Sequence, residues 1–221
     1  MRTFQLTNIR KTFRNGDVEE EVLKGVDLSI NPGQVTALIG ASGSGKSTLL
    51  TIAAGLQSTS QGEIVFHGQN LATCKEEELR KIRAEAFGFI FQSSHLVPFL
   101  TVEEQLSMML DVAGKHKDET SISSILDQVG LSHRRKAYPA SLSGGEKQRA
   151  AIARAVIHQP SVLFADEPTA SLDSKKSQEV MGLLKDMTRN LGMATLLVTH
   201  EEDMLTFADR VVRMEDGKIV V

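Results

Sequence analysis

Apolar and polar residues alternate with a period of two along Val26-Asp27-Leu28-Ser29-Ile30, which predicts a strand with one wet face. Phe4-Gln5-Leu6 opens a shorter strand. Asn31-Pro32-Gly33-Gln34 reads as a turn. The run Val35-Thr36-Ala37-Leu38-Ile39 then predicts a strand buried on both faces that ends at Gly40. Leu49 to Ala54 continues as a helix with Gly55 as its stop, and Glu63 to Phe66 predicts another strand, closed by a turn around His67-Gly68-Gln69.

From about residue 75 to 158 the pattern is mostly helical. Thr101-Val102-Glu103-Glu104 has capping-box spacing ahead of Leu106, Met109, Leu110 and Ala113, and Met108 and Met109 read as core filling. Ser121 to Val129 predicts a short helix stopped by Gly130. Strands return at Val162 to Ala165 and at Thr195 to Val198, and Val211 to Met214 and Lys218 to Val220 flank an Asp216-Gly217 hairpin turn. Strand–helix alternation on both sides of a helical middle predicts one α/β domain over 1–221: a core of 1–92 and 161–221, and a helical lobe over 93–160.

Composition narrows the classes. A net charge of −3 offers no basic face of the kind nucleic acid rewards, so no nucleic-acid partner is expected. The single cysteine, Cys74, has no partner within the chain and fits a reducing compartment. The opening Met1-Arg2-Thr3-Phe4-Gln5 has no apolar stretch of signal-peptide length, and no run reaches the roughly 18 apolar residues of a membrane span. A membrane role would need a partner to provide the crossing.

The chemistry sits where strands end. Gly40-Ala41-Ser42-Gly43-Ser44-Gly45-Lys46-Ser47 matches G-x-x-x-x-G-K-[ST] in full, and Thr48 follows it into the helix. Glycines let backbone N–H groups converge on phosphates, and the helix N-terminus adds its positive end. Lys46 is placed to reach the β- and γ-phosphates, and the Ser47 hydroxyl to ligate Mg²⁺. A Gly/Ser-rich turn would match by accident on the order of once in a hundred chains, and here the strand before and the helix after are both present. Asp166 falls at the end of the apolar run Val162 to Ala165, where such sheets place ligands, and in P-loop enzymes an aspartate there holds Mg²⁺. Glu167, next in line, suits polarising an attacking water.

Leu142-Ser143-Gly144-Gly145-Glu146-Lys147-Gln148-Arg149 resembles the signature sequence of ABC ATPases, with Glu146 where the commonest form has Gln. Ser143 and Glu146 also form a capping box, and both readings hold together, because a glycine-bearing helix N-terminus is itself an anion site. The other landmarks of that family follow in order. Gln92, after Phe89-Ile90-Phe91, is similar to the Q-loop glutamine that touches Mg²⁺ and the attacking water. Ser171-Leu172-Asp173 is similar to the D-loop, and His200 to the switch histidine at the γ-phosphate. Phe13 stands in the place of the aromatic that stacks on adenine.

The resemblance implies a P-loop NTPase (RecA-like) core with an N-terminal antiparallel β subdomain and an inserted helical subdomain. It implies ATP and Mg²⁺, with Glu167, His200, Gln92 and Lys46 catalytic and Ser47, Gln92 and Asp166 at the metal. Phe13, the cradle from Gly40 to Thr48, and Ser143, Gly144, Gly145 and Glu146 would hold nucleotide, the last four from a second copy in a head-to-tail pair. Gly88 to Gln92 and Asp166 to Asp173 look like the branch serving MacB/FtsX-type permeases, and Phe91 to Leu100 is especially similar to haem-exporter ATPases. That implies a peripheral ATPase at the cytoplasmic face of the membrane, touching two permease subunits through the segment after Gln92 and not touching the cargo. His95 reads as a permease contact, not a haem ligand. The short stretch after His200 carries the expectation of no C-terminal regulatory domain. Other readings of the same features are antibiotic, peptide or lipoprotein export, a non-transporting signalling complex, and a soluble ATPase acting on DNA or ribosomes. The last would bring coiled-coil inserts, tandem units or basic arms, none of which occurs here, and Arg134-Arg135-Lys136 is a small solvated patch.

Overall fold

The computed structural model describes residues 4–16 and 18–220. Met1 to Thr3, which begin the stretch read for a targeting signal, lie outside the described residues.

Two sheets carry the fold. Strands β1 (Phe4–Asn15) and β2 (Val18–Ile30) form an antiparallel hairpin. β4 (Gln61–Phe66) and β5 (Gln69–Asn70) extend it in the order β2-β1-β4-β5, with β4 also antiparallel to β1. Period-two alternation puts Phe4 and Leu6, and Val26, Leu28 and Ile30, on the inward face, and a bulge between Leu6 and Ile9 returns Ile9 to it; all six are buried.

The second sheet contains β3 (Val35–Ile39), β6 (Phe87–Ile90), β7 (Val162–Asp166), β8 (Ala194–Val198), β9 (Arg210–Glu215) and β10 (Lys218–Val220). Its order is β10-β9-β3-β8-β7-β6, parallel throughout except for the β9–β10 hairpin. Parallel strands need crossovers that cover both faces, which is why β3, β7 and β8 are nearly unbroken apolar runs. The loop after β3 and the turns after β7 and β8 therefore emerge together at one edge of the sheet.

Helices α1 (Lys46–Ala53), α2 (Glu76–Ala86), α3 (Val102–Val112), α4 (Glu119–Gln128), α5 (Gly144–Val156) and α6 (Ser174–Asn190) complete the fold. One core lies between the sheets and takes in α1. Its centre is an aromatic cluster of Phe4, Phe66, Phe87 and Phe164, in which Phe4, Phe66 and Phe164 meet Phe87 edge-on with ring centroids 6.0, 5.1 and 5.3 Å away. The other core joins Val35, Ala37, Leu163 and Leu197 of the parallel sheet to Leu106, Ile125, Ile152, Val156 and Leu184 of α3 to α6. Helices α3 to α5 run between β6 and β7 in the chain, yet they share this core with the sheet.

Three elements depart from the sequence reading. Phe87–Ile90, within the stretch expected to be mostly helical, is strand β6, paired with β7 from Phe87–Val162 to Ile90–Ala165. The N-terminal hairpin runs far beyond the short strands expected, because ladder hydrogen bonds carry it where no apolar alternation does. Helix α6, not anticipated, is capped by the Asp173 carboxylate accepting from the Lys176 N–H at 3.0 Å.

Candidate functional site

The loop leaving β3 makes a cavity because its backbone has almost no side chains to accommodate. Gly40 has φ of 152°, and a Cβ there would stand 2.1 Å from the Met214 carbonyl oxygen of β9. No larger residue fits at that crossing. Helix α1 then starts at Lys46 with no side chain capping it, so its N-terminus faces a cavity of about 690 Å³. Val22, Gly40, Ala41, Ser42, Gly43, Gly45, Lys46, Ser47, Thr48, Glu167 and His200 line it.

Lys46 is 8% exposed, and its ammonium donates to the carbonyls of Gly40 and Ala41 at 2.8 Å each. Ser44 lies buried beneath the loop, with Oγ 3.5 Å from Lys46 Nζ. The Ser47 hydroxyl bonds to Asp166 at the end of β7. Burial pushes the Asp166 carboxyl above its ordinary range and the neighbouring Glu167 charge adds to this, while the Ser47 bond and the Lys46 charge pull the other way. The outcome is a carboxylate short of positive charge beside a hydroxyl. Two hard oxygen donors of this kind fit Mg²⁺, which needs few protein ligands and keeps water and phosphate oxygens. Among the described residues no group of three or more His, Cys, Asp or Glu side chains is placed to hold a metal by itself.

Glu167 adopts φ of 45°, left-handed backbone that a non-glycine residue takes up at a cost of about 1–3 kcal/mol. Its N–H donates to the Val198 carbonyl at 2.9 Å, which fixes it to the turn after β8. His200 stands in that turn, with Nδ1 2.9 Å from Glu167 Oε1. Thr169 donates to Glu201 at 2.9 Å, and the Glu201 N–H donates to Thr199 at 3.1 Å, so the two turns are stitched together.

The structure thus brings the cradle, Glu167 and His200 around one cavity and sets Asp166 against Ser47. It does not bring the other expected residues there. Phe13 lies exposed on β1 with Lys11 Nζ 5.2 Å from its ring centroid, and Gln92 is exposed beyond β6; neither lines the cavity. Ser143 N-caps α5, while Gly144 and Gly145 lie against Leu172 and Lys176 of their own chain. Glu146 is buried, with one oxygen accepting from the Ser143 N–H and the other from Arg134 Nε, both at 2.8 Å. The Ser143 N–H bond first, and the Arg134 guanidinium next, hold its carboxyl down to about 2. Its two oxygens are occupied within the chain. Val22 of β2 lines the cavity without having been singled out, and nothing in its own sequence context marks it.

Residues 23–170 match the ABC transporter family. A Staphylococcus haemolyticus protein named "Putative hemin import ATP-binding protein HrtA" is 48% identical over 217 residues, covering 97% of this chain and 98% of the relative. The protein of the same name from Staphylococcus saprophyticus is 44% identical over 219 residues, covering 98% of each. Among solved structures, the dimeric ATP-binding cassette MJ0796, in a post-hydrolysis state bound to ADP and Pi, superposes with a TM-score of 0.88 at 33% identity. It covers 99% of this chain and 97% of that one. The cbiO1 protein of Clostridium perfringens, part of the ABC transporter complex cbiONQ, gives 0.87 at 29%, covering 100% and 87%.

Proposed function

The chain belongs to the ABC transporter family, and on that premise we propose that it is the ATP-hydrolysing subunit of a haem exporter. Two copies face head to tail, close around two ATP molecules and drive a separate MacB/FtsX-type permease. The observation that carries this reading is the Glu167–His200 pair, 2.9 Å apart, standing over the Lys46 cradle in one cavity.

The N-terminus of α1 and the loop from Gly40 to Thr48 bind the phosphates of ATP. Lys46 turns from the loop carbonyls to the β- and γ-oxygens, and Phe13 stacks on the adenine. Ser47 and Asp166, with Gln92, would hold Mg²⁺, which when bound would neutralise developing phosphate charge. Glu167 takes a proton from, or orients, the attacking water, and His200 keeps that carboxylate aimed while reaching the γ-phosphate. Ser143 and Gly145 of the second copy complete the site and exclude water, and Gly144 brings its backbone close to the phosphate. Glu146 serves that site through the cap it holds on α5.

A groove of about 470 Å³ opens beside Phe87 to Phe91, lined by Phe89, Phe91, Met108, Met109 and Arg154, among others, and Arg154 ties it to Ser94 and His95 in the segment after Gln92. Its apolar lining supports permease docking there, which would hold the subunit at the cytoplasmic face of the membrane. Among the described residues no helix is long and apolar enough to cross a membrane. The cargo passes through the permease without touching this chain. Haem is favoured by the relatives named for hemin and by the run from Phe91 to Leu100. Those names say import; export is our reading, since an apolar macrocycle partitions into lipid and needs work to be cleared from it.

The test is a strain lacking this gene, challenged separately with haemin, a macrolide and bacitracin while cell haem is measured. Haemin hypersensitivity with raised cell haem, reversed by the parental gene but not by its Glu167→Gln version, is expected. Lowered cell haem would point to import, and lost bacitracin or macrolide resistance alone would replace haem as the cargo.

A further inference from the structure

Helix α5 carries the Ser143 cap at its start and, further along, a series of side chains that hold one neighbouring segment of main chain. Gln148 Nε2 donates to the Phe91 carbonyl at a long 3.5 Å. Arg154 donates through Nη1 to the His95 carbonyl at 2.6 Å and through Nη2 to the Ser94 carbonyl at 3.0 Å. Just past the helix, the ring of fully buried His158 reaches the Phe87 carbonyl at 3.0 Å, and since a carbonyl only accepts, Nε2 is the protonated nitrogen. The backbones touch as well: a Cβ on Gly88 would lie 2.4 Å from the Ala155 carbonyl oxygen. Every one of these contacts falls on residues 87–95, and Gln92 lies between the anchored carbonyls of Phe91 and Ser94.

Arg154 is the unusual member. Burial disfavours its charge, yet among the described residues its hydrogen-bond partners are two backbone carbonyls and no carboxylate. A planar guanidinium presents two N–H groups in a fixed fork, so it can hold two successive carbonyls at once, which an ammonium cannot do with the same constraint.

We propose that Arg154 is a positioning residue for hydrolysis: by clamping Ser94 and His95 to the signature helix it fixes how Gln92 is presented to the nucleotide. This rests on the ATPase reading above. Helix α5 acts as a rod of 13 residues, with Ser143 and Gly145 at its tip and the clamp near its other end. Any shift of the segment after Gln92 is then passed to the signature end, and any shift of the signature end to Gln92. Without the fork Gln92 samples more positions, so the chemical step slows while phosphate binding, which belongs to the α1 cradle, is untouched.

The experiment compares the full-length chain with Arg154→Met and Arg154→Lys, measuring steady-state ATP hydrolysis, equilibrium binding of a fluorescent ATP analogue and thermal unfolding. For Arg154→Met a fall in kcat of about tenfold is expected, with KM and analogue affinity unchanged. Arg154→Lys should recover part of the rate, because one ammonium can still hold one carbonyl. A folded Arg154→Met with parental kcat overturns the proposal, as does a raised KM at unchanged kcat. Unfolding of both variants would assign Arg154 to the fold alone and overturn it too. If the parental chain bound and hydrolysed no ATP, the underlying ATPase reading would fail first, and that result is distinct from all of these.

Discussion

His200 Nδ1 and Glu167 Oε1 lie 2.9 Å apart although 33 residues separate them in the chain. The contact exists because β7 and β8 are adjacent and parallel, with Asp166 in register with Val198, so the turns that follow them leave the sheet side by side. Glu167 is held there by its own N–H on Val198 and by left-handed backbone. The pair is a product of sheet topology and is directed into the cavity over Lys46.

Replacing His200 with Ala should leave the fold and ATP binding intact while removing the group that aims Glu167. Turnover is expected to fall about a hundredfold, with little change in nucleotide affinity. Steady-state kinetics alongside equilibrium binding check this. An affinity loss that matched the rate loss would give His200 a binding role instead.

Lys46→Ala acts on the other half of the site. It removes the cation that the loop carbonyls hold at 2.8 Å in the cradle. A charge-assisted contact to phosphate is worth about 1.5–3 kcal/mol, so ATP affinity should drop roughly tenfold to a hundredfold. Titration calorimetry reads it directly.

Glu146 has a folded pKa of about 2 against an ordinary 4.5. A depressed carboxylate contributes stability that is complete above its unfolded pKa and is lost as pH falls through the folded one. The stability gap between the parental chain and Glu146→Gln should therefore be widest above pH 5 and shrink between about 4.5 and 2. Arg134 and His133 are the basic groups facing it, at 2.8 and 3.8 Å. Urea unfolding across that range would show the convergence, and a gap independent of pH would mean that the ion pair does not stabilise the cap.

Gly88→Ala should destabilise through space alone, since the Ala155 carbonyl oxygen would lie 2.4 Å from the new Cβ. Overpacking of this kind costs about 1–3 kcal/mol. Denaturant titration should show a lower midpoint at unchanged slope.

The cradle was legible in the sequence because phosphate binding is carried out by a contiguous backbone segment. Glycine spacing, Lys46 and Ser47 are enough to write it down. Strands β3, β7 and β8 were legible for a related reason, as burial on both faces demands apolar runs. Strand β6 was not, because Phe87-Gly88-Phe89-Ile90 is too short to show a period, and its pairing with β7 lies far along the chain. Helix α6 could have been found, since Val180, Met181, Leu184, Met187 and Thr188 are buried at helical spacing behind the Asp173 cap. Asp166 and Glu167 could be listed as candidates from their place at a strand end, but their mutual repulsion and the Ser47 bond are properties of the assembled sheet. The commitment of both Glu146 oxygens is likewise visible only in three dimensions, as Arg134 reaches it from the segment between α4 and α5.

In the proposed site, completed by a second copy, the Glu167 carboxylate drives ATP hydrolysis. The most direct measurement is phosphate release by the full-length chain and by Glu167→Gln, with the oligomeric state followed by light scattering in the presence of ATP and Mg²⁺. The amide keeps the volume of the side chain but cannot accept the proton, so hydrolysis should fall about a hundredfold or more. ATP should still bind, and the variant should accumulate as a nucleotide-loaded dimer. Parental turnover in Glu167→Gln would remove Glu167 from the chemistry, and a chain that stays monomeric when loaded with ATP would rule out a site shared between two copies.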